Sequence, residues 1–152
     1  MDHPQPSALC WIQTLILTTG CLMLLPTLGS ATDFVIIGGS ESQKRLVSCI
    51  AEASTELFRE TIGPQQPMTF VILGHDKFLQ TRAAFHAYRT KLAHSNLATR
   101  RIYLSSRALV DWDTALWVIG HELGHFLIPD GIEGHAEFAA ERIRWRARQS
   151  CR

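Results

Sequence analysis

The chain has no CxxC pair and no cysteine cluster, so a thiolate-based metal site is excluded. It has no block of consecutive basic residues interleaved with aromatics, which removes the usual footprint of a nucleic-acid binder. Internal repeats and low-complexity runs are also missing, so a solenoid or a disordered tail is not expected. Charge of either sign is scarce in excess: 15 Lys and Arg face 14 Asp and Glu. With 152 residues the chain suffices for one domain with a modest core.

One absence is local. From Pro4 to Thr32 there is no charged side chain, and an apolar run extends from Leu9 to Leu28. Small residues Gly29, Ser30 and Ala31 follow it, where a signal peptidase reads. The expectation is a signal segment over residues 1–31, cleaved near Ala31, and a domain over 32–152 that is secreted or periplasmic. The alternative is a retained membrane anchor, since the run is about long enough to span a bilayer and no Lys or Arg precedes it. Attachment of a lipid through Cys21 is disfavoured, because LTTGC has no Leu three places before the cysteine. Cys10 and Cys21 lie within this segment, leaving Cys49 and Cys151 as an even pair. In an oxidising compartment they would tie the first helix to the C-terminus; otherwise they are two free thiols.

Patterning predicts the order βαβαβαα. Phe34–Ile37 reads as a strand stopped by Gly38 and Gly39, and Ser40 as the cap of a helix to about Glu60. Met68–Leu73 is a second strand, followed by a helix over about 76–93 in which Phe85 and Tyr88 belong to core or surface. Arg101–Ser105 is a third strand. Asp111 or Asp113 caps the next helix, which ends at Pro129. The last helix covers about Glu133 to Arg148, with acids early and arginines late, as the helix dipole favours. Its arginine-rich end reads as a solvated terminus, with an acidic-partner or membrane patch as the other option. The fold class is therefore α+β, a small sheet of three or more strands packed by helices.

Within the capped helix stands His121-Glu-Leu-Gly-His125. Residues i and i+4 share a helix face, so the two imidazoles point the same way. Glu122 is turned by about 100° from His121, beside a metal without binding it. Such a pair binds Zn2+ and the glutamate serves as general base toward a zinc-activated water. Trp112, Leu116, Ile119, Leu123 and Phe126 form an apolar stripe that would anchor the helix, and Gly124 would permit a close neighbour.

This arrangement, an IYLS strand, a HELGH helix and an acidic helix, resembles the zincin metallopeptidases over Ile102 to Ile143. The resemblance implies zinc, a peptide or protein substrate held along an edge strand before the helix, and a third ligand downstream. The metzincin pattern fails, because Ile128 and Gly131 occupy its Gly and third His places. Glu137-Phe-Ala-Ala-Glu141 is similar to the E-x-x-A-D pattern of gluzincins such as the CAAX-prenyl-protease-like family, which implies Glu137 as ligand and Glu141 behind a histidine. The ImmA/IrrE family also has HELGH and FAAE, and aligning the latter puts its ligand at Gly134, next to Glu133. His135 is the rival, because GHAEF is similar to the SprT-like setting of a third histidine. Asp130 and Glu133 also remain open as the third ligand, with Glu141 behind them. The expected activity is zinc-dependent peptide hydrolysis with Glu122 as base, Tyr103 or His75 being candidate donors to the oxyanion. The alternative is a non-catalytic zincin-like module that binds a peptide along Ile102–Leu104. No nucleic acid is expected as partner, and a membrane only if residues 1–31 are retained.

Overall fold

A computed structural model describes residues 34–62, 67–84 and 92–151. The expectations about the signal segment or anchor, and about Phe85 and Tyr88, fall outside these residues. No helix among the described residues is long and apolar enough to cross a membrane.

The elements are β1 (Phe34–Ile37), α1 (Glu41–Ile62), β2 (Met68–Leu73), α2 (His75–Ala84), β3 (Ala93–Asn96), β4 (Arg101–Ser105), a 3-10 turn (Ser106–Leu109), α3 (Trp112–Leu127) and α4 (Glu133–Ser150). The class is α+β, with four helices and a four-stranded mixed sheet in the order β1-β2-β4-β3. β1, β2 and β4 run parallel, and β3 is antiparallel to β4.

Local chemistry explains most boundaries. Ser40 and Gln43 form a reciprocal cap at the start of α1: the Gln43 amide donates to Ser40 Oγ (3.3 Å) and the Ser40 amide to Gln43 Oε1 (2.9 Å). Gly38 turns the chain out of β1 with φ +78°, and a Cβ there would lie 2.4 Å from the Ile72 carbonyl oxygen, so only glycine fits. Asp111, not Asp113, caps α3, accepting from the Thr114 amide and hydroxyl at 2.8 Å each.

The core lies between the sheet and α1, α3 and α4. Val47, Ile50 and Phe58 of α1, Phe70 of β2, Ile102 and Leu104 of β4, and Ile143 of α4 are buried in it. The α3 stripe behaves as expected: Leu116, Ile119, Leu123 and Phe126 are buried and Trp112 packs at the margin.

Three expectations are corrected. The second helix does not continue to residue 93: α2 is described over His75–Ala84, and Ala93–Asn96 is a fourth strand. AHSN has no β-branched residue and no Phe, Tyr or Trp, so its pairing with β4 imposes the strand from outside. β4 is consequently not an edge. It is hydrogen-bonded to β2 on one side and β3 on the other, so among the described residues the outer strand next to α3 is β3. The arginine-rich end of α4 is not wholly solvated either. Arg144 is buried, its guanidinium held by Glu137 and Glu141, and Arg146 pairs with Glu56 of α1.

Cys49 and Cys151 are joined, with Cα atoms 5.8 Å apart and 102 residues between them in sequence. A crosslink closing so long a loop removes much of the unfolded chain's freedom, about 3–5 kcal/mol on the chain-entropy account. Replacing Cys151 by Ser is expected to lower unfolding free energy by about that amount. Urea unfolding with and without reductant checks it; equal midpoints for wild type and variant would refute the role.

Candidate metal and catalytic site

α3 and α4 pack along each other, and two glycines set their distance. A Cβ on Gly124 would sit 2.1 Å from the Ala136 carbonyl oxygen, and one on Gly120 would press on Arg144 Cγ at 3.1 Å. Ala136, Ala139 and Ala140 line the α4 side, all buried. Gly124→Ala meets backbone that cannot step aside, so the helices must separate. A loss of about 3 kcal/mol is expected, measured as a fall in thermal midpoint. An unchanged midpoint would mean the approach is looser than described.

This close packing brings the start of α4 against the histidine face. His121 Nε2 and His125 Nε2 lie 3.3 Å apart. Glu133 Oε2 lies 3.2 Å from the first and 3.6 Å from the second. All three ligand atoms fall within 4.8 Å of one another. For metal–ligand bonds of ~2.0–2.1 Å, tetrahedral ligands are separated by ~3.3 Å. The triangle therefore has the size a tetrahedral ion requires. The histidine side chains are mostly covered, while Glu133 is 76% exposed, so the group opens to solvent on the Glu133 side.

Glu137 meets His121 at its other ring nitrogen. Its Oε2 accepts a hydrogen bond from His121 Nδ1 at 3.0 Å, on the far side of the ring from Glu133. Burial by itself would raise the Glu137 carboxyl, but hydrogen bonds from His121 and Arg144, with their charge, outweigh it and hold it below the usual glutamate range. An ionised Glu137 accepts the hydrogen bond from Nδ1–H, which favours the tautomer with the proton on Nδ1 and the Nε2 lone pair facing the group. Burial lowers His125, which favours its neutral, ligating form. With the His125 proton on Nδ1 as well, two imidazole nitrogens and a carboxylate converge as a set suited to a cation.

His135 is not part of this group. Its Nδ1 donates to Asp130 Oδ2 at 2.6 Å, and that bond is the largest cause holding the Asp130 carboxyl below its ordinary value. Asp130 Oδ1 also accepts from the Ile132 amide at 2.9 Å, which shapes the turn into α4. Glu141 binds Arg144.

Glu122 is buried, and burial pushes its carboxyl up to about 7, against hydrogen bonds from the Ser95 hydroxyl and amide that lower it. Ser95 belongs to β3, the strand that patterning missed, and no sequence signal marked it. Because strand side chains alternate, Ser95 facing α3 means His94 and its partner Tyr103 face the opposite side of the sheet. There His94 stacks on Tyr103 (4.8 Å) and lies against Phe78 of α2. Tyr103 is thus on the wrong face to serve as an oxyanion donor. His75 is engaged with Ser105 Oγ at 3.0 Å.

Comparison of the chain with family models, with curated proteins and with solved structures finds no match.

Proposed function

We propose that the protein is a zinc metallopeptidase of the zincin kind, with His121, His125 and Glu133 as ligands and Glu122 as proton carrier. The observation that carries this reading is the triangle of Nε2, Nε2 and carboxylate oxygen at 3.2, 3.3 and 3.6 Å. Register supplies further support. The gluzincin pattern E-x-x-A-acid also fits one turn earlier than first read, as Glu133-Gly-His-Ala136-Glu137. In that register the first acid meets the ion and the second steadies a histidine, the two roles these side chains' contacts suit.

When bound, zinc would polarise a carbonyl and lower the pKa of water. The chain's residues do the remainder. Glu137 keeps His121 in the tautomer that presents Nε2, and Arg144 holds Glu137 in place. Glu122 accepts the proton of the attacking water and returns it to the amine as the peptide C–N bond breaks. A carboxyl near neutrality is suited to both transfers. Ser95 holds Glu122 until one of its oxygens turns toward the water. The outer side of β3, where Ala93 is not engaged with β4, offers backbone groups to an extended peptide. The Cys49–Cys151 bond fits a secreted or periplasmic setting.

The test is zinc content and hydrolysis of an undirected peptide library, before and after chelation. One equivalent of zinc and chelator-sensitive cleavage are expected. Peptide binding with stoichiometric zinc and no cleavage would instead support a non-catalytic module, and absence of zinc binding would sink both.

A further inference from the structure

Among the large apolar residues of α3, Leu116, Ile119 and Leu123 are buried, but Trp117 is 55% exposed. Its position is not arbitrary. Trp117 lies one helical turn before His121 and stacks on it nearly parallel, with ring centroids 5.8 Å apart and planes 7° apart. The indole does not serve to fix His121, because Glu137 already holds that ring through Nδ1. Instead the stack places a flat apolar surface at the margin of the His121–His125–Glu133 group, with much of it open to solvent.

Spacing relates this surface to a peptide. One helical turn advances ~5.4 Å. Side chains on one face of an extended peptide repeat every ~6.6 Å. A peptide that runs along α3 with its reacting carbonyl at the histidine pair would bring a side chain onto Trp117 from within two residues of that bond. Among the described residues β3 is paired as a strand only with β4; the Ser95 amide on its outer side is held by Glu122, which leaves the Ala93 backbone beside it for an extended peptide. An indole face takes aromatic and large aliphatic side chains by stacking and apolar burial, and gains nothing from small polar ones.

We propose that Trp117 forms the wall of a substrate subsite, and that the site selects peptides bearing a large apolar or aromatic residue within two positions of the bond cut. The proposal rests on the peptidase reading for the word "cut", but not for the subsite itself.

The experiment separates the two. Zinc-loaded Glu122→Gln protein is titrated with labelled alanine-rich peptides in which a single Phe is moved along the sequence, and affinity is read by fluorescence anisotropy. One Phe position is expected to tighten binding about 10-fold or more. Adding Trp117→Ala should remove that gain while the all-alanine peptide binds within about two-fold of before, and Trp117→Phe should restore part of it. A Phe gain that survives in Trp117→Ala, or no gain at any position, overturns the subsite. Wild-type protein is then assayed on the same peptides. Selective binding without cleavage leaves the subsite standing and refutes the peptidase; cleavage with no dependence on Trp117 does the reverse.

Discussion

Glu122→Gln is expected to abolish peptide hydrolysis, lowering turnover by about 10²–10⁴-fold, while zinc content stays at the wild-type level. Glutamine matches glutamate in shape and still accepts from Ser95, but it cannot carry a proton. Loss of activity with the metal retained thus isolates proton transfer. Turnover within a few-fold of wild type would remove Glu122 from the mechanism.

The same substitution carries a second signature, in the metal-free protein. Glu122 has its folded pKa raised from 4.5 to about 7, chiefly by burial. Between those values the folded chain holds a proton that the unfolded chain has released, so stability falls as pH rises through the window. Below 4.5 both states are protonated and this cost vanishes; above about 7 it is fully present. Its size is on the order of 3 kcal/mol. Glutamine does not titrate. The chelated variant is therefore expected to melt higher than chelated wild type above neutrality, with the gap closing toward acid pH. A constant gap across the range would mean that Glu122 is not buried as a strained acid.

The ligand series has the next largest effect. His121→Ala, His125→Ala and Glu133→Gln each remove one corner of the triangle and are expected to abolish stoichiometric zinc. Glu137→Gln leaves the triangle but loosens His121, so affinity should fall about 10–100-fold. His135→Ala is expected to leave zinc affinity unchanged, because that ring is spent on Asp130. Competition with a chromogenic chelator ranks all five. Loss of zinc in Glu137→Gln with retention in Glu133→Gln would reverse the assignment and restore the first register.

Glu133 and Glu137 also illustrate where reading from sequence stops. Acids recur at 133, 137 and 141, one turn apart on the same face of α4. Helical periodicity makes them equivalent. Only the turn at Ile128–Ile132 decides which one arrives opposite the histidines, and turn geometry is not written in that periodicity. β3 was missed for a related reason. Its four residues have no intrinsic preference for a strand and acquire one by pairing with β4. With β3 went Ser95, hence the surroundings of Glu122.

Local rules by themselves determined the HELGH helix, a cap at Asp111 or Asp113, its apolar stripe and the shared face of His121 and His125. These depend on contacts within a few residues, and such contacts repeat wherever the pattern occurs. Tertiary structure decided which acid completes the group, how deeply Glu122 is buried, which strand lies outermost next to α3, and that Cys49 meets Cys151. Each of these joins residues far apart in sequence. Their meeting depends on two helices closing over Gly124 and a sheet adding one more strand, events of packing that no short window of sequence contains.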